Sequence, residues 1–136
     1  MSDMSCEELL ETFSLLTDWE ERYQIVIDLG QELPPMDEAL KNEKTRVLGC
    51  TSRVWLSPDR SDPSVFCFYG DSDAHIVRGL IAILRIAYCG RSPSEAALFD
   101  IEDFFTKLEL QDHLSPNRRN GFFSMVERIK ALALSW

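Results

Sequence analysis

Cys50 is the residue of this sequence in the clearest chemical setting. It follows Gly49, which permits unusual backbone angles and removes side-chain bulk beside the thiol. Lys44, Arg46 and Arg53 lie within six residues on either side. Positive charge near a thiol favours the thiolate, which is the nucleophilic form. Cys50 therefore stands as a candidate functional thiol, against the plainer reading of an ordinary loop cysteine. Cys67 alternates with Phe66 and Phe68 in a strand-like run, and Cys89 ends an apolar helical stretch. Both read as inert packing residues, and Cys6 as a terminal, incidental one. No two cysteines form C-x-x-C, so neither a zinc knuckle nor a thioredoxin-type pair is written here. Four free thiols are expected.

Two histidines offer a second chemistry. Cys50 as nucleophile with His75 or His113 as base would make a cysteine-dependent enzyme. No spacing supports that reading over capping or surface roles for the histidines. A metal site of Cys50, Asp71, Asp73 and His75 has no ligand motif behind it. Gly70-Asp71-Ser72-Asp73 is not an EF-hand loop, because no glutamate falls at the twelfth position. It reads as a turn into a helix N-terminus, where acidic residues suit the helix dipole.

The elements that must position these residues follow from pattern. Ser5-Cys6-Glu7-Glu8 and Thr17-Asp18-Trp19-Glu20 fit capping boxes. The first opens a helix to about Leu16, and the second opens one that stops near Gly30. Leu33-Pro34-Pro35 breaks the chain, and a short helix is expected over Asp37–Asn42. Ser52–Ser57 alternates as a strand, with Val54 and Leu56 on one face and Arg53 and Trp55 on the other. Ser57–Ser64 reads as a hairpin loop and Val65–Tyr69 as the return strand. A third strand at Arg46–Leu48 has a weaker pattern. Ala74–Tyr88 is apolar around most of its circumference, with Arg78 and Arg85 sharing one stripe. It reads as a central buried helix with a single wet edge. Ser92-Pro93, Ile101–Leu108 and Ser115-Pro116 mark the remaining helices. Helices, a short antiparallel sheet, then helices argue for an α+β fold. With 136 residues, a single domain is expected.

Twenty-three acids against 14 Lys and Arg leave a net charge of −9. A phosphate backbone repels such a chain, which disfavours nucleic-acid binding. Residues 1–43 hold twelve acids and only Arg22 and Lys41 as bases, so one N-terminal lobe carries the whole imbalance. That lobe is either a solvated face or a docking surface for a basic partner. The densest apolar run, Ile76–Tyr88, is too short for a membrane span. The acidic stretch Met1–Leu16 has no base and does not read as a secretory or transit signal. A cytoplasmic location is expected.

Four motifs then coincide in order. Gly49-Cys50-Thr51-Ser52-Arg53-Val54-Trp55-Leu56 resembles the G-C-x-S-x-V-W active-site segment of the SufE family of sulfur acceptors. Trp19-Glu20-Glu21-Arg22-Tyr23 resembles its W-x-x-R-Y helix. Gly70-Asp71-Ser72-Asp73-Ala74-His75-Ile76-Val77-Arg78-Gly79-Leu80 resembles its G-D-S-D-x-x-I-V-(K/R)-G-L block. Leu114-Ser115-Pro116-Asn117-Arg118-Arg119-Asn120-Gly121 resembles its L-(S/T)-P-x-R-x-x-G helix start. The likeness spans about Leu10 to Leu132.

The resemblance implies a small α+β domain related to IscU-type scaffolds. It implies a carrier that takes sulfane sulfur, as a cysteine persulfide, from a PLP-dependent cysteine desulfurase of the SufS or CsdA type. The sulfur then passes to an iron–sulfur scaffold of the SufBCD type or to another acceptor. No cofactor of its own is implied. Cys50 matches the acceptor cysteine, and Asp73 and Arg118 match residues of its surroundings. Arg53 departs from the glutamine common there and adds positive charge. Val54, Trp55 and the apolar helix are expected to form a pocket beside Cys50. A docking patch is expected from Lys44, Arg46, Arg53, Asp71 and Asp73, with Arg118 close by.

Overall fold

Most helix starts among the described residues are set by side chains that take up free backbone amides. Ser5 Oγ accepts from Glu8 N and opens α1 (Cys6–Ser14). Asp18, rather than Thr17, accepts from Glu20 N and opens α2 (Trp19–Gln31). Ser92, Asp100 and Ser115 cap α4 (Pro93–Leu98), α5 (Ile101–Lys107) and α6 (Pro116–Leu134) in the same way. The computed structural model describes residues 4–136, so residues 1–3 of the acidic segment lie outside the described residues. Between Pro35 and the sheet, the expected short helix is a single 3-10 turn, Glu38–Leu40.

The sheet has two antiparallel strands, β1 (Val54–Pro58) and β2 (Phe68–Ser72), with Val54 opposite Ser72 and Pro58 opposite Phe68. The alternation in β1 is as the pattern predicts: Val54 and Leu56 are buried, and Trp55 is half-buried. Four expectations need correction. The third strand is reduced to an isolated bridge between Arg46 and Trp55, supported by Val47 N–H to Val54 O and Leu56 N–H to Thr45 O. The return strand begins at Phe68 instead of Val65. Its predicted first residues are engaged elsewhere, since Phe66 N–H donates to Arg91 O and Phe66 O accepts from Gly90 N–H. The same pairing lays Cys67 against Cys89, Cα–Cα 4.3 Å, and the two form a disulfide. Only Cys6 and Cys50 are free thiols. Finally, Gly70–Ser72 is strand, not turn.

Helix α3 (His75–Tyr88) runs directly back from β2, and Ile76, Val77, Leu80, Ile81, Ile83, Leu84 and Ala87 are all buried. Its arginine stripe is tied to β2 rather than left as a wet edge. Arg78 Nε lies 3.2 Å from Asp71 Oδ1, and Arg85 Nε donates to Phe68 O at 3.0 Å. Helices α2 and α3 cross at Gly30 and Gly79. A Cβ on Gly30 would lie 2.6 Å from Gly79 N, and one on Gly79 would collide with the Val26 carbonyl oxygen. Helix α6 lies against α4 and reaches β1 and α3. The buried apolar side chains of all these elements form one connected core.

Candidate functional site

The loop between the Arg46 bridge and β1 carries Cys50, and both of its ends are anchored. On the entry side, Arg128 of α6 donates from Nη1 to Lys44 O at 3.1 Å and from Nη2 to Arg46 O at 2.8 Å. On the exit side, the Asp73 carboxylate accepts from Arg53 N–H and from Arg53 Nε, both at 3.1 Å. Asp73 N–H returns a bond to Arg53 O. The arginine interaction holds the Asp73 carboxyl below the usual carboxylate range. Between the anchors Leu48 is 80% exposed, and Gly49 and Thr51 are exposed with it.

Gly49 has φ +92°, and a Cβ there would come within 2.6 Å of Ser124 Oγ. Both facts require glycine: the left-handed region strains any L side chain, and α6 leaves no room for one. The turn sends Cys50 inward. Its thiol is half-buried and donates to Gly121 O at 3.6 Å. Gly121 lets α6 pass this close, since even a Cβ would sit 3.4 Å from the sulfur.

Cys50 opens onto a cavity of about 300 Å³. Val77, Leu80, Phe122 and Met125 make its buried apolar floor; Thr51, Ser115, Asn117 and Arg118 stand exposed at its mouth. Of the pocket expected from Val54, Trp55 and the apolar helix, only the helix contributes, through Val77 and Leu80 of α3; α6 supplies the rest of the apolar floor in place of Val54 and Trp55. Val54 is in the core, and the Trp55 ring lies among cations: Lys41 Nζ at 5.6 Å, Arg53 at 5.8 Å and Arg46 at 6.0 Å. The expected thiolate is also corrected. Burial pushes the Cys50 thiol up from its ordinary pKa, and only Arg46 opposes it. Arg53 is spent on Asp73, and Lys44 contributes its carbonyl to Arg128. The cysteine rests as a thiol.

The remaining sequence candidates are distributed as follows. Arg118 faces the cavity mouth, and no ion pair or hydrogen bond engages its guanidinium among the described residues. Asp71 is not at the mouth; it is 21% exposed and held between Lys41 Nζ at 2.7 Å and Arg78 Nε at 3.2 Å. His75 is the exposed first residue of α3. His113 stacks on Trp19, ring centroids 3.4 Å apart. Neither histidine lines the cavity. Among the described residues no three His, Cys, Asp or Glu side chains gather as a metal site. No helix among them is long and apolar enough to cross a membrane. Arg128 and Ser124 were not legible as site residues. Their partners are 84 and 75 positions away in sequence, and only the packing of α6 against the loop defines them.

An α+β fold with a half-buried cysteine on a doubly anchored loop beside a helix-walled cavity defines a class of small thiol proteins. The chain belongs to the SufE family: the model of its Fe–S metabolism associated domain matches residues 7–133. An uncharacterised SufE-like protein of Rhizobium etli is 45% identical over 130 residues, 93% of this chain and 87% of that one. Another, from Rhizobium meliloti, is 44% identical over 133 residues, 95% and 94% of the two chains. A solution structure of a hypothetical protein from Thermus thermophilus shares the fold, with a TM-score of 0.77 over 97% of both chains at 24% identity. Membership supports a sulfur-transfer role in Fe–S metabolism.

Proposed function

We propose that this protein is a persulfide carrier, with Cys50 as the acceptor. Residues 1–136 act as one sulfur-acceptor domain. The Cys50 sulfur, as thiolate, attacks the outer sulfur of a persulfide on a cysteine desulfurase of the SufS or CsdA type. The donor's inner sulfur leaves as a thiolate, so one sulfur moves without net oxidation. Draining that persulfide stimulates the desulfurase. The carrier then yields its sulfur to an iron–sulfur scaffold of the SufBCD type, in the cytoplasm. It is not itself an enzyme and holds no cofactor; PLP belongs to the desulfurase.

The observation that carries this reading is the half-buried Cys50 thiol on the wall of a cavity with an apolar floor. Such a wall shields a bound outer sulfur from reductants. Carrier work needs no histidine base, which accords with a cavity that neither histidine lines. The raised thiol pKa adds a requirement: docking must stabilise the thiolate or move the loop outward. The Arg53–Asp73 pair and exposed Leu48 flank Cys50 and suit a mixed charged and apolar docking patch.

Intact-mass analysis after incubation with a cysteine desulfurase and cysteine tests the proposal. Cys50 is expected to gain one sulfur, about 32 Da. Cys50→Ser abolishes the gain and Cys6→Ser leaves it intact. A Cys50→Ser protein that still accepts sulfur would overturn the assignment. Collapse of acceptance in a well-folded His75→Gln, His113→Gln double variant would point to base catalysis instead.

A further inference from the structure

The cavity beside Cys50 is larger than its cargo. A water molecule claims about 30 Å³ of liquid volume, and one added sulfur is of similar size. A persulfide on Cys50 therefore leaves most of the 300 Å³ unfilled. The volume is at the lower end of the range for sites that hold small molecules.

Its lining says what kind of molecule fits. Arg118 is the only ionised side chain on it, and no Asp or Glu lines the cavity to answer that charge. The Arg118 guanidinium is unpaired among the described residues, whereas Arg53, Arg78 and Arg22 each have a carboxylate partner. Ser115, Asn117, Thr51 and Ser52 add hydrogen-bonding groups near the mouth, and the floor is apolar. Pro116 has no N–H, and Ser115 Oγ already takes that of Arg118. The charge of Arg118, more than the helix end, therefore draws an anion in. A short ligand with a carboxylate at one end and an apolar stem satisfies mouth and floor together. If the stem ends in a thiol, that thiol reaches the Cys50 wall.

Resting on the proposed carrier role, we infer that the cavity is a docking site for a small thiol carrying a carboxylate, which takes sulfur directly from Cys50. The small thiolate attacks the outer sulfur of Cys50–S–SH. The S–S bond to Cys50 breaks, Cys50 leaves as a thiolate, and the product is the small molecule's persulfide. One S–S bond forms and one breaks, so no oxidant or reductant is needed. The carrier thus has a diffusible acceptor class besides protein partners.

The test uses the full chain, loaded on Cys50 with inorganic polysulfide, desalted, and verified by intact mass. Discharge is followed with 3-mercaptopropionate and with its neutral amide, both expressed per thiolate. The acid is expected to discharge Cys50 about tenfold faster, a factor equivalent to about 1.4 kcal/mol, and to saturate with concentration. Arg118→Gln should shrink the ratio of the two rates to less than about threefold, while Arg118→Lys preserves most of it. Circular dichroism melting verifies that each variant is folded. Equal rates for acid and amide, or a ratio unchanged in a folded Arg118→Gln protein, would overturn the inference and leave the carrier role standing. Failure of Cys50 to load from either polysulfide or desulfurase would instead remove the carrier role itself.

Discussion

Replacing Gly49 by alanine isolates the two constraints that aim Cys50. The first is backbone: at φ +92° a Cβ is strained by about 1–2 kcal/mol relative to the right-handed region. The second is contact: the new Cβ would meet Ser124 Oγ at 2.6 Å, and overpacking of this kind costs about 1–3 kcal/mol. Gly90 supplies the control, because it has φ +95° with nothing within 4 Å of its Cβ position. Gly90→Ala should therefore lose only the backbone part, about 1–2 kcal/mol. Gly49→Ala should lose about 2–5 kcal/mol, at least about 1 kcal/mol more than the control. Adding Ser124→Ala to Gly49→Ala removes the oxygen and should bring the loss back toward the Gly90→Ala value, corrected for Ser124→Ala alone. Urea unfolding with a fixed m-value measures all four variants. For a chain of this length each kcal/mol is roughly 3–6 °C in Tm. If Gly49→Ala were no more destabilising than Gly90→Ala, or if Ser124→Ala gave no relief, the packing of α6 against the loop would not be what orients Cys50.

Burial of Cys50 predicts slow alkylation. An ordinary thiol with a pKa near 8.5 is about 3% thiolate at pH 7, and Cys50 should be below that. Its iodoacetamide rate should climb past pH 8.5 without levelling off, and Arg46→Gln should slow it further at neutral pH; a plateau below pH 8 refutes the buried-thiol state. Gly79→Ala should destabilise by more than about 2 kcal/mol in urea, because the α2–α3 crossing puts the Val26 carbonyl where the methyl would go. Asp73→Arg places like charge against Arg53 and removes two hydrogen bonds from the loop exit. It should clearly change desulfurase turnover measured against carrier concentration, while neutralising Glu7, Glu8 and Glu11 together mainly shifts its salt dependence. Non-reducing alkylation of the unfolded chain should label two cysteines, rising to four after reduction; four labels before reduction would refute the Cys67–Cys89 bridge.

Periodicity and capping residues in the sequence determined the helices, the two-strand hairpin and the α+β class. These signals are local: Ser5, Asp18, Ser92, Asp100 and Ser115 cap helices within three residues of themselves. Alternation likewise put Val54 and Leu56 on one face of the strand, the face that packs into the core. The G-C-x-S-x-V-W, G-D-S-D and L-S-P-x-R segments also determined which family the chain joins and which cysteine to examine. Tertiary structure decided what those residues meet. Arg53 looked like a thiol activator because it is three residues from Cys50, but it faces Asp73, 20 positions on. Asp71 entered the expected docking patch as part of the acidic Gly70–Asp73 segment, and β2 holds its carboxylate between Lys41 and Arg78. Cys67 and Cys89 read as separate thiols until the Phe66–Gly90–Arg91 pairing brought them together. The cavity walls come from α3 and α6, and the loop entry is held by Arg128, 84 residues from its partner Lys44. Burial of Cys50 likewise depends on α6 packing against the loop. Desolvation and long-range hydrogen bonds depend on which chain segments meet in space, and a neighbour count along the sequence carries no record of that.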